Sequence, residues 1–170
     1  LRTIQPIGNT HLCWEDTFCL MSKLIALRSK DPDTKVGSVI VNDQNIVVGL
    51  GYNGFPRGCD DQLFPWTRKD GINPTDTMED SMLRSKYTYV VHAEVNAILN
   101  SNGSTKDCTL YCTLFPCNEC AKIIIQAGIK RIIYLENKYA DMPMTHAAVA
   151  MFRHAGVKTE QYILKSRVEL

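Results

Sequence analysis

Two short clusters, His92-Ala93-Glu94 and Pro116-Cys117-Asn118-Glu119-Cys120, place the strongest constraint on what this chain can become. A zinc ion takes nitrogen and sulfur ligands in a tetrahedron, and a catalytic site leaves one corner open for water. Cys117 and Cys120 stand at i and i+3 in the first turn of a predicted helix, so both sulfurs point the same way. His92 opens a second predicted helix, so the two helix starts can face each other across the sheet. A helix N-terminus and a metal both favour thiolate over thiol. With two thiolates and one neutral imidazole the centre is formally neutral, and a bound water can ionise near neutral pH. Glu94, two residues past His92, can reach that water without reaching the metal.

The surrounding pattern supplies such a sheet. Trp14 to Ser29 carries Phe18, Met21, Leu24, Ile25 and Arg28 at helical spacing and is stopped by Asp31-Pro32-Asp33. The first 13 residues read as a tail, and residues 14–170 as a single domain. Lys35 to Val41 and Ile46 to Leu50 are β-branched runs joined by Asn42-Asp43-Gln44-Asn45, the pattern of a hairpin. A long stretch from Gly51 to about Lys86 reads as irregular, and loops of that length are commonly functional. Beyond it, helix His92–Leu99, strand Thr109–Thr113, helix Cys117–Ala127, strand Arg131–Leu135, helix Thr145–His154 and strand Lys158–Leu164 follow in turn. Gly128 and Gly156 close the last two helices. The alternation implies an α/β fold, a sheet with helices on both faces.

Charge narrows the partners. Nineteen Lys and Arg oppose eighteen Asp and Glu, a net charge of +1, whereas a chain that grips a phosphate backbone carries a basic excess. A small-molecule substrate is expected, with no nucleic acid and no membrane partner. No apolar run approaches the ~20 residues of a membrane span, and nothing near Leu1 reads as a signal peptide. The start at Leu1 rather than Met is expected of a piece of a longer polypeptide. Seven cysteines without a disulfide-like spacing suggest reduced thiols, metal ligation and an intracellular site, cytoplasmic or nuclear. Asn102-Gly103-Ser104 fits a glycosylation sequon by chance on this reading.

The pairing of H-x-E with P-C-x-x-C is that of zinc deaminases. It implies hydrolytic attack at C4 of cytosine, with Glu94 carrying a proton first to the ring nitrogen and then to the departing ammonia. The competing closed site, four thiolates from Cys108, Cys112, Cys117 and Cys120, fails on reach. Four strand residues at ~3.3 Å each hold the backbones of Cys108 and Cys112 roughly 13 Å apart. Those two, with Cys13 and Cys19, read as small buried hydrophobes, while His11, His146 and His154 lack partners at ligand spacing. Gly49-Leu50-Gly51-Tyr52-Asn53-Gly54 matches a dinucleotide fingerprint, but Phe55-Pro56-Arg57-Gly58 prevents the helix that motif must open. Its glycines are expected to let a loop backbone approach a ligand.

With these residues in view, the chain resembles the deoxycytidylate deaminase family from about Trp14 to Gly156. The likeness runs through Arg28-Ser29-Lys30-Asp31-Pro32, Gly51-Tyr52-Asn53-Gly54, Lys86-Tyr87-Thr88-Tyr89-Val90-Val91-His92-Ala93-Glu94, Leu114-Phe115-Pro116-Cys117-Asn118-Glu119-Cys120 and Gln126-Ala127-Gly128-Ile129-Lys130. The resemblance implies a three-layer α/β/α fold around a five-stranded mixed sheet, and zinc held by His92, Cys117 and Cys120, with Glu94 catalytic. It further implies that Arg28, Asn53 and Tyr139 line a nucleotide site, with Arg28 and Tyr139 near phosphate. A homo-oligomer, and a regulatory nucleotide at the Asn53/Gly54 loop, are also implied. The expected reaction converts a 2'-deoxycytidine nucleotide, dCMP or dCTP, to the deoxyuridine nucleotide and ammonia. Two departures bear on the phosphate end: Ala140 stands where the family has His, and the loop from Trp66 to Lys86 is long, with acidic Asp76, Glu79 and Asp80. A nucleic-acid editing deaminase and a catalytically silent regulatory domain are the alternatives. The charge balance counts against the first, and the intact ligands and glutamate against the second.

Overall fold

The computed structural model describes residues 11–68 and 73–166, so most of the expected tail lies outside the described residues. Helix α1, Trp14–Ala26, is capped by the Cys13 sulfur, which accepts from the Asp16 N–H at 3.5 Å, and carries Glu15 and Asp16 against its positive N-terminal dipole. It ends three residues before Ser29. Leu27, Arg28 and Ser29 donate backbone N–H groups to Leu24, Ile25 and Ala26 in a tightened last turn.

Strands β1, Gly37–Val41, and β2, Val47–Tyr52, form the expected antiparallel hairpin. Its turn is held by the Asn42 side chain, whose Oδ1 accepts from the N–H of Gln44 at 3.0 Å and of Ile46 at 2.9 Å. Asn45 takes a φ of 61°, which an asparagine tolerates. Strand β3, Thr109–Leu114, pairs antiparallel with β1, then parallel with β4, Arg131–Glu136, which pairs parallel with β5, Lys158–Gln161. The order β2-β1-β3-β4-β5 is a five-stranded mixed sheet.

Period-2 alternation divides the core into two layers. Val39, Val41, Tyr111 and Ile133 face α1 with Phe18, Cys19 and Tyr162. Ile40, Leu110, Cys112 and Ile132 face the opposite side with Ala97, Ile124, Ala148 and Phe152. Those last four belong to α3, Ala93–Leu99, α4, Asn118–Gln126, and α5, Pro143–Ala155. Each fully buried Ile or Phe contributes about 1.5–3 kcal/mol. Cys19, Cys108 and Cys112 are buried as expected of small hydrophobes. Among the described residues no helix is long and apolar enough to cross a membrane.

Two expectations change. Gly49 and Gly51 lie within β2, and their bare Cα atoms admit α3 rather than a ligand. A Cβ on Gly51 would stand 2.3 Å from the Ala97 N and 2.6 Å from the Ala93 O. The stretch after Gly51 is also less irregular than its composition suggests. It holds α2, Met78–Leu83, and a 3-10 turn, Lys86–Thr88. The missed signal is Thr77 with Asp80 three residues on: the Thr77 Oγ1 accepts from the Asp80 N–H at 3.1 Å and donates to the Asp80 carboxylate at 2.7 Å.

Candidate metal centre and its rim

Strand polarity puts the chemistry at one edge of the sheet. The parallel strands β3 and β4 both end there, and α4 leaves β3 through Phe115 and Pro116. Open α/β sheets bind ligands at the carboxyl ends of their strands. Cys117 is the N-cap of α4 and Cys120 its third helical residue; His92 is the N-cap of α3. Neither cap uses its side chain to cap its own helix, which leaves His92 and Cys117 available as donors. The start of α3 is held in place by the Gly54–Val91 bridge and by Asn96, whose Nδ2 donates to the Tyr52 carbonyl at 2.8 Å.

The three expected ligands converge. The His92 Nδ1 lies 3.2 Å from the Cys120 Sγ and 3.5 Å from the Cys117 Sγ, and all three donor atoms fall within 4.8 Å of one another. Zinc–sulfur bonds of about 2.3 Å and zinc–nitrogen bonds of about 2.0 Å require donor separations of roughly 3.5–3.8 Å in a tetrahedron, so one ion fits this set after small adjustment. No other His, Cys, Asp or Glu among the described residues joins them, which removes the four-thiolate alternative. Cys108 and Cys112 instead point their thiols at the carbonyls of Ser104 and Ile133.

The electrostatics suit metal capture. The Cys120 thiol donates to the Cys117 sulfur, and this bond, opposed by burial and aided by His92, pulls the Cys117 thiol down to about 3. Cys120 is pushed well up by the same sharing and by burial. His92 rises to about 9, chiefly through its bond to Cys117. Loading a divalent ion onto this donor set displaces the protons that its thiols and imidazole share. Glu94 is 4% exposed; burial raises its carboxyl above the usual range, against the pull of His92. A carboxyl so raised holds a proton more readily than a free one, as a proton carrier must.

The rim residues fall into two groups. Asn53 is buried and cross-braced. Its Oδ1 accepts from the Val36 N–H at 2.8 Å, while its Nδ2 donates to the Thr34 carbonyl at 3.0 Å and the Asp31 carboxylate at 3.3 Å. Tyr139, 37% exposed, lies in the turn between β4 and α5, where its carbonyl accepts from the Thr145 hydroxyl at 2.6 Å. Lys138 links it to the same rim, standing 4.9 Å over the Tyr139 ring and donating to the Thr34 hydroxyl at 3.0 Å. Arg28 is not gathered with them. It is exposed on the α1 side, at a groove of about 320 Å³ lined by Met21, Leu24, Ile25, Leu27, Val39 and Leu50.

One residue of the rim escaped the sequence reading. Lys86 is buried, and its ammonium donates to both Asp31 oxygens at 2.8 and 2.9 Å and to Asp33 at 2.7 Å. Burial alone would lower its pKa, but the two carboxylates hold it above the ordinary lysine value. An isolated lysine in a segment without period carries no sign of burial, and neither the helix stop nor the family likeness gave Asp31 a buried partner.

Residues 12–136 match the family described as the cytidine and deoxycytidylate deaminase zinc-binding region. A probable deoxycytidylate deaminase of Drosophila melanogaster is 53% identical over 155 residues, 90% of this chain and 74% of that protein. The deoxycytidylate deaminase of Homo sapiens is 48% identical over 156 residues, 91% of this chain and 83% of that one. Among solved structures, the dCMP deaminase of cyanophage S-TIM5 in complex with dCMP and dUMP superposes with a TM-score of 0.65 at 26% identity, over 87% of this chain and 96% of that one.

Proposed function

This chain belongs to the cytidine and deoxycytidylate deaminase family, and we propose that its reaction is the conversion of dCMP to dUMP and ammonia. The observation that carries the reading is the convergence of His92, Cys117 and Cys120 beside a buried Glu94. A zinc ion held there supplies Lewis acidity that brings the ionisation of water to near neutral pH. The Glu94 carboxylate takes the proton released as water attacks C4, hands it to the ring nitrogen, and then protonates the leaving amine.

Arg28, Asn53 and Tyr139 are assigned to the nucleotide, with Arg28 and Tyr139 toward phosphate. Asn53 and Tyr139 are joined through Thr34 and Lys138, which supports a shared role. Arg28 adjoins the rim through its neighbour Ser29, whose hydroxyl donates to the Asn53 carbonyl at 2.8 Å. Gly54, where an added Cβ would meet only the Tyr52 ring at 3.9 Å, leaves space beside its Cα for a regulatory nucleotide. Exposed Leu24, Leu27 and Leu50 favour a homo-oligomer, and seven unpaired cysteines favour an intracellular setting, cytoplasmic or nuclear.

Ala140 favours a second reading, in which dCTP is also accepted, because a small exposed side chain beside Tyr139 leaves room for further phosphates. Rates of uridine-product formation from deoxycytidine, dCMP, dCDP and dCTP test both. Preference for dCMP supports the first reading and comparable kcat/KM for dCTP the second; equal kcat/KM for deoxycytidine and its phosphates would overturn the nucleotide assignment.

A further inference from the structure

The buried ion pair of Lys86 lies outside the metal centre yet holds the rim together. All three ammonium hydrogens are used, on Asp31 twice and on Asp33 once. Asp31 in turn accepts the backbone N–H groups of Asp33 at 2.8 Å and Thr34 at 3.1 Å, and the amide of Asn53. Ser29 closes the set, accepting from the Asp31 N–H and donating to the Asn53 carbonyl. Asn53 therefore has both amide hydrogens committed and one lone pair of its Oδ1 on Val36, and the second lone pair is what its side chain can offer a nucleotide. The backbone of Lys86 also anchors the long excursion: its N–H donates to the Thr67 carbonyl at 2.9 Å, and its carbonyl accepts from Tyr89 and Val90, just before His92.

A buried ion pair is a poor device for stability alone, because desolvation offsets most of the attraction. Its geometric demand is what an apolar pair cannot replace. We infer that Lys86 is a positioning residue, whose ammonium clasps Asp31 and Asp33 so that residues 29–36 hold Asn53 in the orientation the nucleotide meets. The inference rests on the assignment of Asn53 to the nucleotide site. The Lys86 ammonium spends its hydrogens on the two aspartates and not on the metal ligands or Glu94, so it acts through Asn53 and not on the proton transfers. Asp33 forms the outer side of the clasp, where Arg68 and Lys138 also bear on its charge.

The test separates positioning from stability. Lys86→Met leaves Asp31 without its buried cation, so the melting temperature should fall and KM should rise about tenfold or more, with kcat within about threefold and zinc content unchanged. The double variant Lys86→Met/Asp31→Asn removes both charges and should recover much of the lost melting temperature. The new side chain at position 31 has one acceptor oxygen where the carboxylate had two. With that oxygen kept on the N–H groups of Asp33 and Thr34, its amide nitrogen faces the Asn53 amide donor to donor, so the raised KM should persist. Asp33→Ala, which deletes only the outer partner, should raise KM by a smaller factor. Unchanged KM in these variants, or KM returning to the wild-type value together with stability in the double variant, overturns the inference. Wild-type enzyme run in parallel guards the substrate reading. If it shows no saturable turnover of dCMP, that reading fails, and the variants are then compared on whichever nucleotide the panel shows to be turned over.

Discussion

At the scale of single residues, the proposed chemistry is divided between groups that would hold a metal and one that would move protons. Glu94 is buried, raised in pKa and outside the ligand set. Glu94→Gln keeps its shape and loses its proton, so turnover should drop by about 10²–10⁴-fold or more while zinc content and fold persist. Metal analysis alongside the rate assay checks this, and substantial residual deamination would reassign the shuttle. Cys120→Ala should instead lose zinc, activity and stability together, because a three-ligand site has no reserve donor. Full zinc occupancy in that variant, read by the same analysis, would require a fourth protein ligand that no described residue supplies. The pair Cys117 and Cys120 was legible in the sequence because ligand spacing within one helical turn is a local property. The role of Lys86 was not, since its partners Asp31 and Asp33 lie 55 and 53 positions away.

At the scale of elements, the metal centre depends on how closely α3 lies on β2. Gly51 makes that approach possible, and α3 carries His92 at its cap and Glu94 in its first turn. Gly51→Ala drives a methyl group into the helix backbone, where no side-chain rotation can relieve it. We expect a loss of about 3 kcal/mol of stability and weaker zinc retention, because the helix that presents His92 must shift. Denaturant unfolding and competition with a chelator measure the two effects; a variant as stable and as zinc-retentive as wild type would contradict this account. Glycine spacing in the sequence was ambiguous here, since a ligand and a helix backbone ask for the same missing Cβ.

At the scale of the whole molecule, the ends of the described chain meet at Asp16. Its carboxylate accepts from the Tyr162 hydroxyl at 3.0 Å and from the backbone N–H groups of Lys165 at 3.0 Å and Ser166 at 2.9 Å. Burial alone would raise its pKa, but these bonds prevail and lower it. A carboxyl whose folded pKa lies below its unfolded value adds stability above the unfolded pKa, near 3.9, and loses it as pH falls through the folded value. Asp16→Ala should therefore cost about 2–3 kcal/mol at neutral pH. The gap from wild type should close below about pH 4, as the wild-type contribution fades. Urea midpoints against pH read this directly, and a pH-independent gap would show that packing rather than ionisation is lost. The sequence by itself determined the metal-donor set and the helix–strand alternation, because each is written in spacings of a few residues. Only the tertiary structure decided that His92 meets Cys120 across 28 positions, that Lys86 clasps Asp31, and that Gly51 serves a helix. Contacts between distant positions leave no period in the chain, and their geometry exists only once the sheet has brought the loops to one edge.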